Sequence, residues 1–72
     1  MTKQEFFELF DSVLDGRTGY SVVAAVGRYI HVYSVDNTFT ANFITRVVEM
    51  TGDYFTGITM DSDNRPYLLF CI

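Results

Sequence analysis

The chain has 72 residues, room for one domain spanning 1–72 and no linker. Nine acids against five bases give a net charge of −4, which opposes phosphate binding, because Lys and Arg supply most of that affinity. With Cys71 the only cysteine and His31 the only histidine, an intramolecular disulfide and a Cys/His metal cluster are excluded.

Chains this short bury only about 60% of the surface that the unfolded form exposes, so the core is thin. Seven Phe and five Tyr must fill it, and self-association is the remaining way to cover apolar surface. No apolar run is long enough to cross a membrane, and the N-terminus lacks the layout of a signal peptide. A lone thiol without an export signal predicts a cytoplasmic protein.

Thr2 and Glu5 stand in the capping-box relation, which predicts a helix start. Phe6, Phe7, Leu9, Phe10, Val13 and Leu14 then recur at helical spacing, with Gly16 at the position just past the end. From Tyr20 to Val35, β-branched and aromatic residues dominate, and Gly27 interrupts them. The pattern predicts strands near 19–25 and 29–35 joined by a turn at Val26-Gly27-Arg28. A single bent strand, or a short helix over Val22–Val26, is the alternative. In the second strand Tyr29, His31, Tyr33 and Val35 face one way, and Ile30, Val32 and Ser34 the other.

Asp36-Asn37-Thr38 has the composition of a turn and N-cap. Phe39, Phe43, Ile44, Val47, Val48 and Met50 form a second apolar helical stripe, closed by Gly52. Two strands follow, near 54–60 and 67–72, across the loop 61–66. Placing Met60 opposite Tyr67 sets Ile58 against Leu69, Thr56 against Cys71, Gly57 against Phe70 and Thr59 against Leu68.

The predicted order is α-β-β-α-β-β, an α+β two-layer sandwich with two helices on one face of a four-stranded antiparallel sheet. Residues 1–35 and 36–72 both read helix–hairpin, a pseudo-repeat of pattern without sequence identity. A ferredoxin-like βαββαβ chain takes the same order when its first strand moves to the end, a topological relation that carries no function.

No catalytic, metal or cofactor site emerges. His31 as a general base needs a nucleophile or substrate in reach and an orienting group, and no motif supplies them. Cys71 sits in the apolar run Tyr67–Ile72 and is expected to be a buried small hydrophobe rather than a thiol nucleophile. Asp61-Ser62-Asp63-Asn64 starts like a calcium loop, but Arg65 and Pro66 follow where a ligand and a glycine are needed. Gly16 and Gly19 fit no phosphate-binding motif.

Two surfaces suit binding. The sheet face away from the helices carries Tyr29, His31 and Tyr33, joined by Phe55 and Phe70 or by Tyr54 and Tyr67 according to register. Exposed aromatics can stack bases, but the scattered cations weigh against direct nucleic-acid binding. A protein partner, including a second copy in a homodimer, is the expected occupant. The other surface is an acidic ridge of Glu5, Glu8, Asp11 and Asp15 along the first helix, suited to a basic partner or simply solvated. In size and charge the chain is similar to the stand-alone inhibitors that phages use against host nucleases and defence complexes, which implies a nucleic-acid-handling or defence complex as its target. The sequence therefore predicts a small acidic interaction module that is not an enzyme. A small-ligand sensor binding an aromatic compound on the open face or at a dimer seam is the alternative.

Overall fold

A computed structural model describes residues 1–72 and opens with the cap that the first residues encode. The Thr2 side chain accepts from the Glu5 N–H at 3.1 Å, and the Glu5 carboxylate accepts from the Thr2 N–H at 3.2 Å. Two donors that a helix start leaves unpaired are thereby satisfied. Helix α1 runs Lys3–Leu14, buries Phe6, Phe10 and Val13, and ends with Asp15 in the left-handed region and Gly16 beyond it.

The chain then forms the predicted hairpin, β1 (Tyr20–Ala24) and β2 (Tyr29–Ser34). Its turn closes through the Ala25 N–H donating to the Tyr29 carbonyl at 3.0 Å, with Gly27 at φ 72°, where a side chain is disfavoured. Lys3 donates to the Ala25 carbonyl at 2.7 Å and pins the start of α1 to this hairpin end.

Helix α2 spans Ala41–Thr51, and its N-cap is Thr40, whose hydroxyl accepts from the Phe43 N–H at 3.2 Å. The cap predicted at Asp36-Asn37-Thr38 is therefore displaced. Asp36 instead builds a tight turn, its carboxylate accepting from the Ser34 hydroxyl at 2.6 Å and from Thr38 N–H and Oγ1 at 3.1 and 2.8 Å. An Asx side chain satisfied locally in this way competes with helix formation. Phe39 thus precedes the helix, yet it still packs on Tyr20 and Phe43. Val48 and Met50, expected in the apolar stripe, are exposed, while Thr51 is buried and donates to the Val47 carbonyl at 2.6 Å. A single 3-10 turn (Gly52–Tyr54) leads to β3 (Phe55–Met60), and β4 (Pro66–Cys71) follows.

The sheet order is β1-β2-β4-β3 and every neighbouring pair is antiparallel. The register of the last hairpin differs from the predicted one by a residue: Met60 pairs with Pro66, Thr59 with Tyr67, Ile58 with Leu68 and Gly57 with Leu69. The loop explains the shift. Asp61 N–H donates to the Arg65 carbonyl at 3.0 Å, and the Asp61 carboxylate accepts from the Asp63 and Arg65 amides, both at 2.9 Å. Asp61 and Arg65 therefore close the loop and move the first ladder pair to Met60–Pro66. A bulge between Phe55 and Gly57 then returns Phe55 to a position opposite Phe70, and Gly57 takes φ 152° to accommodate it.

Both helices pack on one face. Phe6, Phe10, Val13, Phe43 and Val47 bury against Ile30, Val32, Leu68, Phe70 and Ile72, giving one core between the two layers. Phe70 is its hub, with ring centroids 4.8 Å from Phe6, 5.8 Å from Phe10 and 5.5 Å from Phe55.

Candidate protein-interaction face

Strand alternation divides β2 and β4 between two environments. In β2, Ile30, Val32 and Ser34 are buried under the helices, while Tyr29, His31 and Tyr33 point to the other side, as predicted. Val35, expected in line with them, lies past the strand end and is 80% exposed. In β4, Leu68 and Phe70 are buried, so Tyr67, Leu69 and Cys71 face outward.

Cys71 is therefore exposed, opposite Tyr29. The expectation that it is buried fails because the alternation of β4 sends its position to the uncovered side. Of the aromatics offered for this face, Tyr67 joins it, Phe55 and Phe70 belong to the core side, and Tyr54 lies in the 3-10 turn.

The open face is organised around stacked rings. His31 lies 4.2 Å from Tyr67, centroid to centroid, at an interplanar angle of 26°, and Tyr33 lies 5.3 Å from Tyr67. Arg65 extends the stack, its guanidinium 5.0 Å above the Tyr33 ring while Nε donates to Asn37 Oδ1 at 3.3 Å. Arg65 was not among the predicted site residues; its place in a polar turn-like loop gave no sign that it would fold back over the face. Partial burial holds the Tyr33 phenol above its ordinary pKa of 10.0, helped by the nearby Asp61 carboxylate and Tyr67 and opposed by Arg65. Val23, Leu69, Gly57 and Thr59 complete the face in register with these groups. The strands thus place no carboxylate and no Lys or Arg on it; Asp61 and Arg65 stand at its rim.

The acidic ridge is exposed as predicted, but its members are not equivalent. Glu5 is engaged in the capping box, whose backbone and hydroxyl hydrogen bonds with Thr2 hold its carboxyl below the ordinary value of 4.5. Asp15 adopts the left-handed conformation that ends α1. Glu8 accepts a long 3.5 Å hydrogen bond from Gln4, and Glu8 and Asp11 stand exposed in the middle of α1.

A cleft of about 270 Å³ opens at the end of the sheet between Gly19, Tyr20, Ser21, Tyr33, Ser34 and Arg65. The calcium-like loop directs Asp61 to its own amides, as described above, which leaves that carboxylate serving the turn. No helix is long and apolar enough to cross a membrane. In comparisons with known proteins, the chain matches no family model, no curated protein and no solved structure.

Proposed function

We propose that this chain is a non-enzymatic interaction module that binds protein through the open face of its sheet. The observation that carries the reading is the uncovered aromatic surface, free of carboxylates, Lys and Arg, built by Tyr29, His31, Tyr33, Tyr67 and Leu69. Tyrosine-rich, charge-poor surfaces are those that protein interfaces favour, because a ring adds contact area at little entropic cost. A nucleic acid needs cations on that surface; its strands place none there, and Arg65 reaches it from the rim. Glu8 and Asp11 on the opposite layer offer a secondary, salt-sensitive contact, and a stand-alone inhibitor of a basic, nucleic-acid-handling protein would use it. The exposed Cys71 suits a reducing cytoplasm.

The ligand-sensor alternative rests on the cleft beside Tyr33 and Arg65. Its volume of about 270 Å³ falls just under the roughly 300–1,000 Å³ of small-molecule sites, and it is open. The sheet face is therefore the better supported surface.

Photo-crosslinking tests the choice. Benzoylphenylalanine in place of Tyr67 should give a discrete protein adduct in the source cell, and the same residue in place of Glu8 should give at most a weaker adduct that is lost at high salt. Adducts from position 8 alone would transfer binding to α1 and overturn the reading.

A further inference from the structure

We infer that the occupant of the open face is a second copy of this chain, related by a two-fold axis that runs along the strands; this rests on the sheet-face reading above. Three observations support it.

The first is charge. Each copy carries −4, so two copies meet only if their acids stay away from the seam. The face itself is free of carboxylates, and the ridge Glu5, Glu8, Asp11 and Asp15 lies on the helix layer. The molecule is 19 Å across its shortest extent. That thickness exceeds the Debye length of about 8 Å at physiological salt, so the ridges of two copies do not oppose association. A basic or acidic partner, by contrast, would find nothing of opposite sign at the centre of this face.

The second is area. Four strands about 4.8 Å apart and six residues long at about 3.3 Å each make a face of roughly 19 × 20 Å. Two such faces, with side-chain relief, bury on the order of 1,000 Å², the lower limit for a specific interface. Pairing through the exposed edge of β1 would cover far less and leave the aromatic surface bare. A seam of this size predicts reversible, micromolar association.

The third is shape. The central row across the sheet reads Val23, His31, Leu69, Gly57. Val23 on β1 is 43% exposed and stands proud, while Gly57 on β3 leaves bare backbone with nothing within 4 Å of where a Cβ would be. A two-fold between β2 and β4, parallel to them, lays β1 of one copy over β3 of the other. Each Val23 then enters the hollow over Gly57, and each His31 meets Leu69 of the other copy. Such an interface is isologous, and residues beside the axis lie close to their own counterparts.

Leu69 flanks the axis, so it provides the test. In sedimentation equilibrium the unmodified chain should show a monomer–dimer equilibrium in the micromolar range. Leu69→Glu and Leu69→Lys should each weaken it by tenfold or more, because either charge meets itself across the axis. An equimolar mixture of the two variants should associate more tightly than either alone. Circular dichroism and a urea midpoint confirm that both variants fold; should either not fold, His31→Glu and His31→Lys, in the same row and on the other strand that flanks the axis, replace them. A strictly monomeric chain, or a mixture no tighter than its components, overturns the homodimer. If the chain is monomeric while position 67 still crosslinks to a different protein, the homodimer fails and the sheet-face reading stands; if position 67 crosslinks to nothing, both fail.

Discussion

Two faces of one sheet, made from the same two central strands, meet opposite fates. On one, Ile30, Val32, Leu68 and Phe70 are wholly buried beneath two helices. On the other, one residue along in each strand, Tyr29, His31, Tyr33, Tyr67 and Leu69 keep contact with solvent. The covered face is bulky, aliphatic and aromatic, and it locks the fold. The open face is nearly as apolar yet has polar tips on its rings, which suits a surface wet in one state and covered in another. The comparison teaches that β4 is not merely the last element of a small domain. It supplies the hub of the core and half of the proposed binding surface.

Removing Phe70–Ile72 should have the largest effect, because it deletes the hub and the residue whose amide continues the ladder to Arg28. Far-ultraviolet circular dichroism should show an unfolded chain, and a folded one would refute the sheet assignment. Neighbouring single substitutions sharpen the contrast. Phe70→Ala should cost about 3–5 kcal/mol, whereas Leu69→Ala, facing outward, should cost about 1 kcal/mol or less in the monomer. Urea midpoints measured at low concentration compare the two, and equal losses would erase the distinction between the faces. Thr2→Ala and Thr40→Ala should each lose about 1 kcal/mol in the same assay, since each hydroxyl satisfies a helix-start amide.

The faces should also differ in how pH loosens them. Glu5 and Asp36 are held below their ordinary values, chiefly by hydrogen bonds from Thr2 and from Ser34 and Thr38 respectively. A lowered folded pKa gives stability that is present above the ordinary values of 4.5 and 3.8 and is lost as pH falls through the lower folded values. Glu5→Gln and Asp36→Asn should therefore flatten the acid limb of a stability–pH curve. Tyr33, on the open face, has the opposite sign. Its raised pKa gives stability that is present below 10.0 and is lost as pH rises through the higher folded value. Tyr33→Phe should remove that alkaline contribution, and the difference in phenolate absorbance between the two chains should place the Tyr33 ionisation above 10.0.

Much of this was legible in the sequence, for local reasons. The capping box at Thr2 and Glu5, the alternation through Tyr29–Ser34 and the turn at Gly27 depend on neighbours a few residues apart, and all three form as read. What the sequence misplaced depends on which of several local options the rest of the fold selects. Asp36 has the composition of a helix cap and becomes a turn because Ser34 and Thr38 satisfy it first. Asp61 shortens its loop by capturing two amides, which shifts the last hairpin by one residue and turns β3 over, so that Gly57 and Thr59 share the open face with Tyr67 and Leu69. The same alternation brings Cys71 into solvent. Tyr29, His31 and Tyr33 were found because one strand fixes them; Tyr67 awaited a register and Arg65 a loop conformation.

Cys71 offers the most direct test of the central claim, being the only thiol and lying on the open face opposite Tyr29. Its alkylation rate, followed across two decades of chain concentration around the micromolar range, reports whether that face becomes covered. The account predicts a rate that falls as concentration rises in the unmodified chain and stays high throughout in Leu69→Glu. A rate independent of concentration in both would contradict it.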